Sequence, residues 1–368
     1  MRVLVTGSRG FIGKNFLVHI RELKNYEVTE FTSADPLASL PDLVGGVDAV
    51  VHLAGVNRPE HQRDFALVNT DLTKSIFDAI KPSGKNIPLI LASSTQAELN
   101  NPYGRSKREA DQTAENFARE TGNPVTIFRL PGVFGKWCRP NYNSVVATFC
   151  HNIAHDLPIQ ISDPAARIRL VYVDDVASSF LAALNDTTPG VHWGKVEPEY
   201  SITLGELADQ IRAFGNCRTT LVLERVGEGL VRALYATYVS YLPASKFAYD
   251  LQQWNDARGV FVEMLKTPDA GQISYFTANP GVTRGGHYHH SKTEKFLVIK
   301  GKARFGFRHI LTNETYEIHT SGEAPQVVET VPGWAHDITN VGDDQMVVML
   351  WANEIFDRDR PDTIACKV

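Results

Sequence analysis

A glycine-rich segment follows the first apolar run of the chain without a break. The run Arg2 to Thr6 leads into Gly7-Ser8-Arg9-Gly10-Phe11-Ile12-Gly13, which opens a stretch of helical period. Glycine lets the backbone pass close to a pyrophosphate, and the first turn of a helix offers its amide groups to that negative charge. The spacing is G-x-x-G-x-x-G and not G-x-G-x-x-G. A strand, a glycine loop and a helix in this order predict a dinucleotide-binding unit.

Short apolar runs alternate with helical stretches as far as about residue 185, a pattern typical of β-α units in a parallel sheet. Several runs are apolar throughout, as expected for strands that are covered on both faces. The predicted strands are 2–6, 27–31, 49–53, 88–93, 125–130 and 170–173.

The chain changes character after Leu242-Pro243. The preceding stretch, from about 200 to 245, is predicted to be helical, and Thr203 and Glu206 have the spacing of a capping box. Beyond it, β-branched and aromatic residues alternate with polar ones between turns. Because 368 residues exceed what one core comfortably holds, we expect an α/β domain over 1–243 and an all-β domain over 244–368.

Tyr103 and Lys107 stand four residues apart at the start of a predicted helix, so their side chains share one face. A lysine ammonium beside a phenol stabilises the phenolate, which lets the tyrosine exchange a proton near neutral pH. The hydroxyl cluster Ser93-Ser94-Thr95 closes the preceding strand, where a hydroxyl can bond the same carbonyl oxygen. Y-x-x-x-K alone is common on solvated helices, but together with the preceding hydroxyl cluster it favours carbonyl reduction.

The residues after the second predicted strand bear on the choice of coenzyme. An acidic residue just past this strand normally bonds the adenosine ribose of NAD. None stands clearly there, while Arg9 in the glycine loop is able to meet a 2′-phosphate. The residues therefore favour NADP(H), and Glu30 reverses that choice if the strand ends earlier.

Together these segments resemble the extended branch of the short-chain dehydrogenase/reductase superfamily, which acts on nucleotide sugars. Four further stretches carry the resemblance over residues 1 to 240: His52-Leu53-Ala54-Gly55, Asn69, Arg129-Leu130-Pro131-Gly132-Val133-Phe134-Gly135 and Val171-Tyr172-Val173-Asp174-Asp175-Val176.

This resemblance implies a Rossmann domain with Ser94, Tyr103 and Lys107 as catalytic residues. Tyr103 would be the general acid, and Lys107 would also touch the nicotinamide ribose. The coenzyme contacts that it implies are the glycine loop Gly7, Ser8, Arg9, Gly10, Phe11, Ile12 and Gly13, together with Leu53, Ala54, Gly55, Asn69 and Lys107.

Arg139, Asn141 and Asn143 lie where such enzymes receive the sugar nucleotide, and their amides and guanidinium are suited to hydroxyls and phosphates. The same stretch also reads as a helix cap with Ser144 as N-cap, and the two readings are compatible. One departure concerns Arg167-Ile168-Arg169, which is shifted from the family's usual Arg-Asp position and leaves an arginine-phosphate contact open.

Histidines cluster in the strand-rich half, within Gly281-x5-His287-Tyr288-His289-x4-Glu294-x6-Gly301 and Pro332-Gly333-x2-His336-x3-Asn340. Alternate residues of a strand share one face, so His287 and His289 are predicted to point to a common place. With Glu294 and His336 they make four ligands suited to zinc or another divalent transition metal. The remaining histidines of this half, His290, His309 and His319, are read as structural.

The two stretches resemble the two motifs of the cupins, which place a metal inside a small β-barrel. A second likeness, over residues 256–263, is to the opening segment of the nucleotide-sugar 3,5-epimerases. Those enzymes lack a comparable metal set, so the base that removes the proton cannot be carried over to this chain.

An extended reductase fused to a cupin resembles the CapF- and WbjC-like bifunctional enzymes of the UDP-N-acetyl-L-fucosamine pathway, which serves capsules and O-antigens. The resemblance implies that the cupin epimerises C3 of a UDP-2-acetamido-2,6-dideoxy-4-ketohexose. The reductase then reduces C4 with NADPH, giving UDP-2-acetamido-2,6-dideoxy-L-talose. Homodimers are this family's habit, and we expect one here.

Composition excludes several other classes. The net charge is −5 with scattered basic residues, which gives no footprint for nucleic acid or an anionic membrane. No apolar stretch approaches the roughly 20 residues that span a bilayer, and the opening run lacks a signal-peptide cleavage site. The four cysteines are far apart without a C-x-x-C pair, which favours a cytoplasmic protein.

Two alternatives stay open at this point. The first domain would be a nucleotide-sugar 4,6-dehydratase or C4 epimerase that retains its coenzyme, although Thr95-Gln96-Ala97 supplies no obvious second acid-base pair. The cupin would then be a metal-stabilised sugar-binding or dimerisation module without catalysis, whose metal site is closed where a catalytic one keeps an open position.

Overall fold

The computed structural model describes residues 1–251, 253–256, 259–262, 265, 271–354 and 359–368. By spatial contact the chain divides into two compact units, Met1–Ser144 with Ile168–Ser201, and Val145–Arg167 with Ile202–Val368. No side chain of the epimerase-like segment 256–263 is among those that the structure describes.

The first nine strands are β1 (Arg2–Thr6), β2 (Glu27–Phe31), β3 (Ala49–His52), β4 (Leu89–Ser94), β5 (Pro124–Leu130), β6 (Gly132–Phe134), β7 (Arg167–Tyr172), β8 (Gly190–Gly194) and β9 (Glu199–Thr203). Six of them form a sheet in the order β2-β1-β3-β4-β5-β8, and every pair in it is parallel. A second, three-stranded sheet has the order β6-β7-β9. The order in which the chain adds strands reverses at β1, with β2 on one side and β3 on the other, and doubly wound folds bind ligands at such a point.

Helices cover both faces of the six-stranded sheet and build a separate core on each. Phe16, Phe128 and Phe180 belong to one core, and Phe77 and Phe117 belong to the other. The helices of the chain are α1 (Phe11–Arg21), α2 (Leu40–Gly45), α3 (Arg63–Phe65), α4 (Leu72–Ile80), α5 (Pro102–Thr121), α6 (Val145–Ala154), α7 (Val173–Ala183), α8 (Leu204–Thr220) and α9 (Gly229–Ser240).

All six predicted strands exist, with ends that differ by at most a few residues, but their assignment to one sheet needs a correction. The run 170–173 belongs to β7, which lies in the three-stranded sheet, and the sixth strand of the main sheet is β8. Sequence reasoning missed β8 because Gly190–Gly194 is short, has glycine at both ends and is only half-buried, so it lacks the continuous apolar run of a covered strand.

The second unit combines α6, α8 and α9 with the β-rich part of the chain. Its strands are β10 (Ala248–Asp250), β11 (Gln253–Asp256), β12 (Gly259–Val262), β13 (Gln272–Ala278), β14 (Thr283–Tyr288), β15 (Glu294–Lys300), β16 (Lys302–His309), β17 (Thr315–Ser321), β18 (Gln326–Glu329), β19 (Trp334–Asn340), β20 (Met346–Ala352) and β21 (Ile364–Ala365). Two five-stranded sheets have the orders β10-β18-β15-β20-β13 and β17-β16-β19-β14-β21, and β11 pairs with β12.

The helical stretch before the β-rich part is as predicted in one detail and not in another. Thr203 and Glu206 form the capping box at the start of α8. The strand β9, which ends at Thr203, interrupts the predicted helical stretch at its beginning. The division at residues 243 and 244 stays a prediction about independent domains, since α8 and α9 group with the β-rich part by contact. Within the described residues, no helix is both long and apolar enough to cross a bilayer.

Candidate active site and metal centre

The glycine loop packs directly against the backbone that follows β3. A Cβ added at Gly7, whose φ is +67°, would lie 2.4 Å from the Ala54 nitrogen, and one at Gly13 would lie 2.2 Å from the Gly7 carbonyl oxygen. Only glycine fits either position. Helix α1 begins after Gly10 without a side-chain cap, so its first amides face the loop and can receive an anion.

Two hydroxyls and a histidine hold the strand ends beside this loop, an arrangement that sequence reasoning missed. Thr6 Oγ1 lies 2.6 Å from His52 Nδ1, and His52 Nε2 lies 2.9 Å from Thr73 Oγ1. The Ala54 amide donates to Thr6 Oγ1 over 3.2 Å. Burial, with a smaller contribution from Lys107, lowers the pKa of His52 to about 3. His52 is therefore neutral and serves to connect β1, β3 and α4.

The end of β2 lies where the sequence predicted it, and its acidic residue is already paired. Arg21 of α1 donates to Glu30 over 2.6 Å. Arg9 is exposed in the glycine loop and is close enough to Asp35 to lower the pKa of that carboxyl, after the larger effect of hydrogen bonds from Thr32. Glu30 is thus paired with α1, while Arg9 lies exposed in the glycine loop that follows β1.

Ser94, Tyr103 and Lys107 are brought together at the carboxyl end of β4. Asn101 caps α5, so the helix begins just before Tyr103. The Ser94 hydroxyl lies close enough to the Tyr103 phenol to act on its pKa as a hydrogen-bond partner. Lys107 lies one turn further on and donates to the Ala92 carbonyl oxygen over 2.9 Å. The catalytic roles of the three residues stay a prediction.

The expected effect of Lys107 on Tyr103 needs a correction. Burial raises the pKa of the Tyr103 phenol, and the bond with Ser94 offsets this only in part. Burial also lowers the pKa of Lys107 to about 8, against the opposing effect of Asp111. Tyr103 is consequently a protonated phenol at neutral pH, which is the form of a proton donor.

Asn69 lies in a π-helical segment, Ala66–Asp71, that runs between α3 and α4. Its amide accepts from the Val56 nitrogen over 2.8 Å and donates to the Val56 oxygen and the Ser106 hydroxyl, both over 3.0 Å. π-helical turns occur often at functional sites. Asn69 therefore connects the loop after β3 with α5, next to Lys107, and its direct contact with a coenzyme stays a prediction.

The predicted sugar-nucleotide loop is anchored by a buried ion pair that the sequence did not reveal. Lys136 Nζ lies 2.6 Å from Asp174 Oδ1, and both side chains are largely buried. Beyond this anchor, Arg139 stacks on the Tyr142 ring at 5.0 Å. Arg139, Asn141 and Asn143 are exposed, so their side chains are available to a ligand.

His287, His289, Glu294 and His336 converge in the β-rich part, with potential ligand atoms all within 4.8 Å of one another. His287 of β14 lies opposite His336 of β19, and Glu294 begins β15. Glu294 Oε2 lies 3.2 Å from His289 Nε2 and 3.5 Å from His336 Nε2. Three imidazoles and a carboxylate are a donor set that zinc and similar cations prefer.

The protonation of this cluster also fits a divalent cation. Burial, with the neighbouring imidazoles, lowers the pKa of His287 to about 4, and burial lowers that of His336. Although burial alone raises the pKa of Glu294, the bonds with His289 and His336 hold it well below its usual range. Neutral imidazoles and an ionised carboxylate are the forms that bind metal.

A second layer orients the ligands. His289 Nδ1 bonds the carbonyl oxygen of Asp362, which leaves Nε2 with its lone pair toward the cluster. The Asp362 carboxylate accepts from the amides of His290, Ser291 and Lys292 over 2.7 to 2.8 Å. This holds the turn between β14 and β15.

A cavity of about 280 Å³ opens onto the cluster. Its polar wall includes His287, Glu294 and His336, and Lys292 Nζ lies 3.0 Å from Glu294 Oε1. Its apolar wall is formed by Phe276, Phe296, Phe305, Ile338 and Leu350. The cluster is therefore reached from a pocket large enough for a sugar ring, and that pocket is also lined by the cations Arg284 and Lys292.

Comparison with known proteins adds to this geometry. Residues 3–196, more than half of the chain, match the NAD dependent epimerase/dehydratase family. The chain belongs to this family. Residues 254–364 match the polysaccharide biosynthesis C-terminal domain.

Two relatives extend over the whole length of this family member. A Pseudomonas aeruginosa protein named UDP-2-acetamido-2,6-beta-L-arabino-hexul-4-ose reductase is 57% identical over 368 residues, covering 100% of this chain and 99% of its own. The crystal structure of the capsular polysaccharide assembling protein CapF from Staphylococcus aureus is 38% identical, with a TM-score of 0.67 and 100% of both chains covered. The resemblance to the CapF-like enzymes is thereby confirmed.

The fold prediction is confirmed as a Rossmann-like parallel domain followed by an antiparallel all-β region. A UDP-glucuronic acid 4-epimerase from Bacillus cereus in complex with NAD, 19% identical with a TM-score of 0.50 over 57% of this chain and 83% of its own, shows the same fold. The chain is an NAD(P)-linked enzyme that acts on nucleotide sugars in polysaccharide biosynthesis.

Proposed function

We propose that this family member carries out two successive reactions on one sugar nucleotide. The cupin epimerises C3 of a UDP-2-acetamido-2,6-dideoxy-4-ketohexose. The Rossmann domain then reduces the C4 carbonyl with NADPH to UDP-2-acetamido-2,6-dideoxy-L-talose. The product would serve the synthesis of UDP-N-acetyl-L-fucosamine for a surface polysaccharide. The observation that carries the reduction is the buried Tyr103 phenol, which stays protonated beside Ser94 and one turn before Lys107.

The reductive half follows from the protonation of these residues. When bound, NADPH would supply the hydride that C4 accepts. Ser94 would orient the carbonyl oxygen, and Tyr103 would give its proton to that oxygen as the C–H bond forms. A raised pKa suits a donor and not a base. The relative that is 57% identical is named a reductase, which favours reduction over the dehydratase or C4-epimerase alternative.

The choice of NADPH is supported by charge at the end of β2. Glu30, the acid that would bond an adenosine ribose, is engaged with Arg21 at 2.6 Å, while Arg9 is exposed in the glycine loop. The pyrophosphate would lie at the α1 amides. The Ser8 hydroxyl is buried there without a hydrogen-bond partner among the described residues, which fits an acceptor supplied by a ligand.

The epimerising half would use the four-ligand cluster. A divalent cation, which we propose is zinc, would polarise the C4 carbonyl and make the C3 proton more acidic. The cation would be held by His287, His289, Glu294 and His336. The apolar wall of the cavity would lie against the C6 methyl group of the sugar. The proton leaves C3 from one face and returns to the other, so the step is redox-neutral.

The remaining components of the proposal concern binding and assembly. Arg139, Asn141 and Asn143 would hold the UDP-sugar in the first unit, because they are exposed beyond the Lys136 anchor. We propose a cytoplasmic homodimer whose ligand is a UDP-sugar, with no nucleic-acid or membrane partner.

A product analysis tests the proposal. The metal-loaded protein is incubated with the UDP-2-acetamido-2,6-dideoxy-4-ketohexose and NADPH, and the product is identified by NMR. The proposal predicts stoichiometric NADPH oxidation and a C3-inverted L-talo product. A product that is reduced at C4 with C3 unchanged would limit the enzyme to the reductase activity, and no NADPH oxidation would refute the reductase assignment.

A further inference from the structure

A third ionisable side chain continues the face of α5 that carries Tyr103 and Lys107. Asp111 follows Lys107 by four residues, which places the three side chains in one row along the helix. Asp111 is only 2% exposed and Lys107 only 7% exposed. A buried carboxylate and a buried ammonium on adjacent turns of one helix need each other's charge, because each alone is costly to bury.

The Asp111 carboxylate is fixed from outside the helix by an arginine. Arg129 of β5 donates from Nε to Asp111 Oδ2 over 2.9 Å, and its guanidinium stacks on the Trp193 ring at 4.4 Å. Glu98 lies 3.8 Å from the same guanidinium but is exposed. The carboxylate of Asp111 is therefore held by Arg129, one helical turn from Lys107.

The surroundings of Lys107 offer little other negative charge. Its recorded acceptor is the neutral Ala92 carbonyl oxygen. The ionisable groups that face it are Tyr103 on its own helix and His52 of β3, which is neutral because burial holds its pKa at about 3. Among the described groups that face Lys107, Asp111 is the anion, and it opposes the effect of burial on the Lys107 pKa.

We propose that Asp111 is a positioning residue for the reduction, which keeps Lys107 in its ammonium form and aimed past Gly55 at the coenzyme, with Arg129 holding the Asp111 carboxylate in place. A Cβ built at Gly55 would lie 3.2 Å from Lys107 Nζ, so the ammonium lies at the loop that is predicted to bind the coenzyme. This inference rests on the role of Lys107 in the proposed function.

Titration of Lys107 itself tests the inference without activity. Competitive acetylation with acetic anhydride, followed at Lys107 by peptide mass spectrometry between about pH 6 and about pH 11, reports the lysine pKa in coenzyme-free protein. Asp111→Asn removes the charge with little change in shape, and we expect the pKa of Lys107 to fall by about one unit or more. Glu115→Gln removes a like charge from a partly exposed site further along the same helix and should leave the pKa of Lys107 unchanged.

A second variant makes the sign of the effect decisive. Arg129→Gln removes the competing cation and leaves the carboxylate to Lys107, so the pKa of Lys107 should rise. Asp111→Glu keeps the charge and should stay near the wild-type value. A merely structural role predicts that Asp111→Asn and Arg129→Gln shift the titration in the same direction or not at all, and either result would overturn the inference.

Coenzyme binding separates this inference from the proposed function. NADPH affinity, measured by fluorescence, should weaken in Asp111→Asn by about tenfold more near pH 9 than near pH 6.5, since one pKa unit corresponds to tenfold in charge state. If Lys107→Met binds NADPH and reduces substrate normally, the proposed role of Lys107 fails. If Lys107→Met is inactive while Asp111→Asn titrates like the wild type, only the present inference fails.

Discussion

The two candidate sites of this chain are built in different ways. The Ser94, Tyr103 and Lys107 site lies on one strand end and one helix, within 14 residues of sequence. The metal cluster is assembled from β14, β15 and β19, which belong to two different sheets. The first depends on a local helical spacing, whereas the second depends on the register of a β-structure. The charged groups differ as well: the first site carries the buried Lys107 ammonium, and in the second the Glu294 carboxylate lies beside two imidazoles and the Lys292 ammonium.

The two sites should therefore respond differently to substitution. Removal of Tyr103 takes away the proton donor but leaves the glycine loop and α5 in place. Removal of any metal ligand lowers the number of donors of the whole cluster. We therefore expect that a substitution in one site abolishes one activity and leaves the other intact.

The metal cluster should show the largest effect. His289→Ala should remove stoichiometric metal and lower solvent exchange at C3 by about 10³-fold or more, because both a ligand and the polarisation of the carbonyl are lost. Metal content by atomic emission and deuterium incorporation by NMR measure this. His319→Ala, which changes an exposed histidine of the same half, is the matched control. Retained metal in His289→Ala would count against the ligand set.

The reductase site should show the next effect. Tyr103→Phe should lower NADPH oxidation by about 10²- to 10⁴-fold, the usual contribution of a positioned proton donor. Exchange at C3 should continue, since the cupin cluster is unchanged. The control is Tyr26→Phe, which removes a half-buried phenol from the loop between α1 and β2. Loss of both activities in Tyr103→Phe would contradict the separation of the sites.

The second layer of the metal centre should have a smaller effect. Asp362→Asn weakens the turn held by three backbone amides and so the orientation of His289. Metal affinity should fall by about 10- to 100-fold, as outer contacts of metal sites typically contribute. Titration with a competing chelator gives the affinity, and exposed Asp343→Asn is the control. An unchanged affinity would mean that the Asp362 carboxylate does not contribute to the orientation of His289.

The coenzyme preference should have the smallest effect. Arg9→Ala removes the exposed guanidinium proposed to meet the 2′-phosphate, and NADPH affinity should fall by about tenfold, the order of one charge-assisted bond. NADH affinity should change little, because it lacks that phosphate. Fluorescence titration with both coenzymes provides the comparison. Equal losses for both would assign Arg9 to the pyrophosphate or the loop itself.

The local features were predictable from sequence, because they depend on short spacings. The glycine loop, the strand β2 with its end at Phe31, and the pair Tyr103 and Lys107 all lie where periodicity placed them. The convergence of His287, His289, Glu294 and His336 was predictable because the histidine stretches have fixed spacings and the fold brings β14 next to β19.

Other features could not be predicted, because they depend on long-range packing. The bond of Asn69 to Val56 and Ser106, and the pair Lys136 and Asp174, join segments that have no shared pattern. The pKa of Tyr103 was expected to be lowered by its lysine neighbour, but the surrounding burial reverses that direction. Burial is a property of the folded chain and not of the spacing.

We propose that one chain both inverts C3 and reduces C4 of the same sugar. To test this, metal-loaded protein is incubated with the 4-keto sugar nucleotide and NADPH in deuterium oxide, and the product is analysed by NMR. We expect solvent deuterium at C3 and protium from the coenzyme at C4. A reduced product that carries protium at C3 would contradict it.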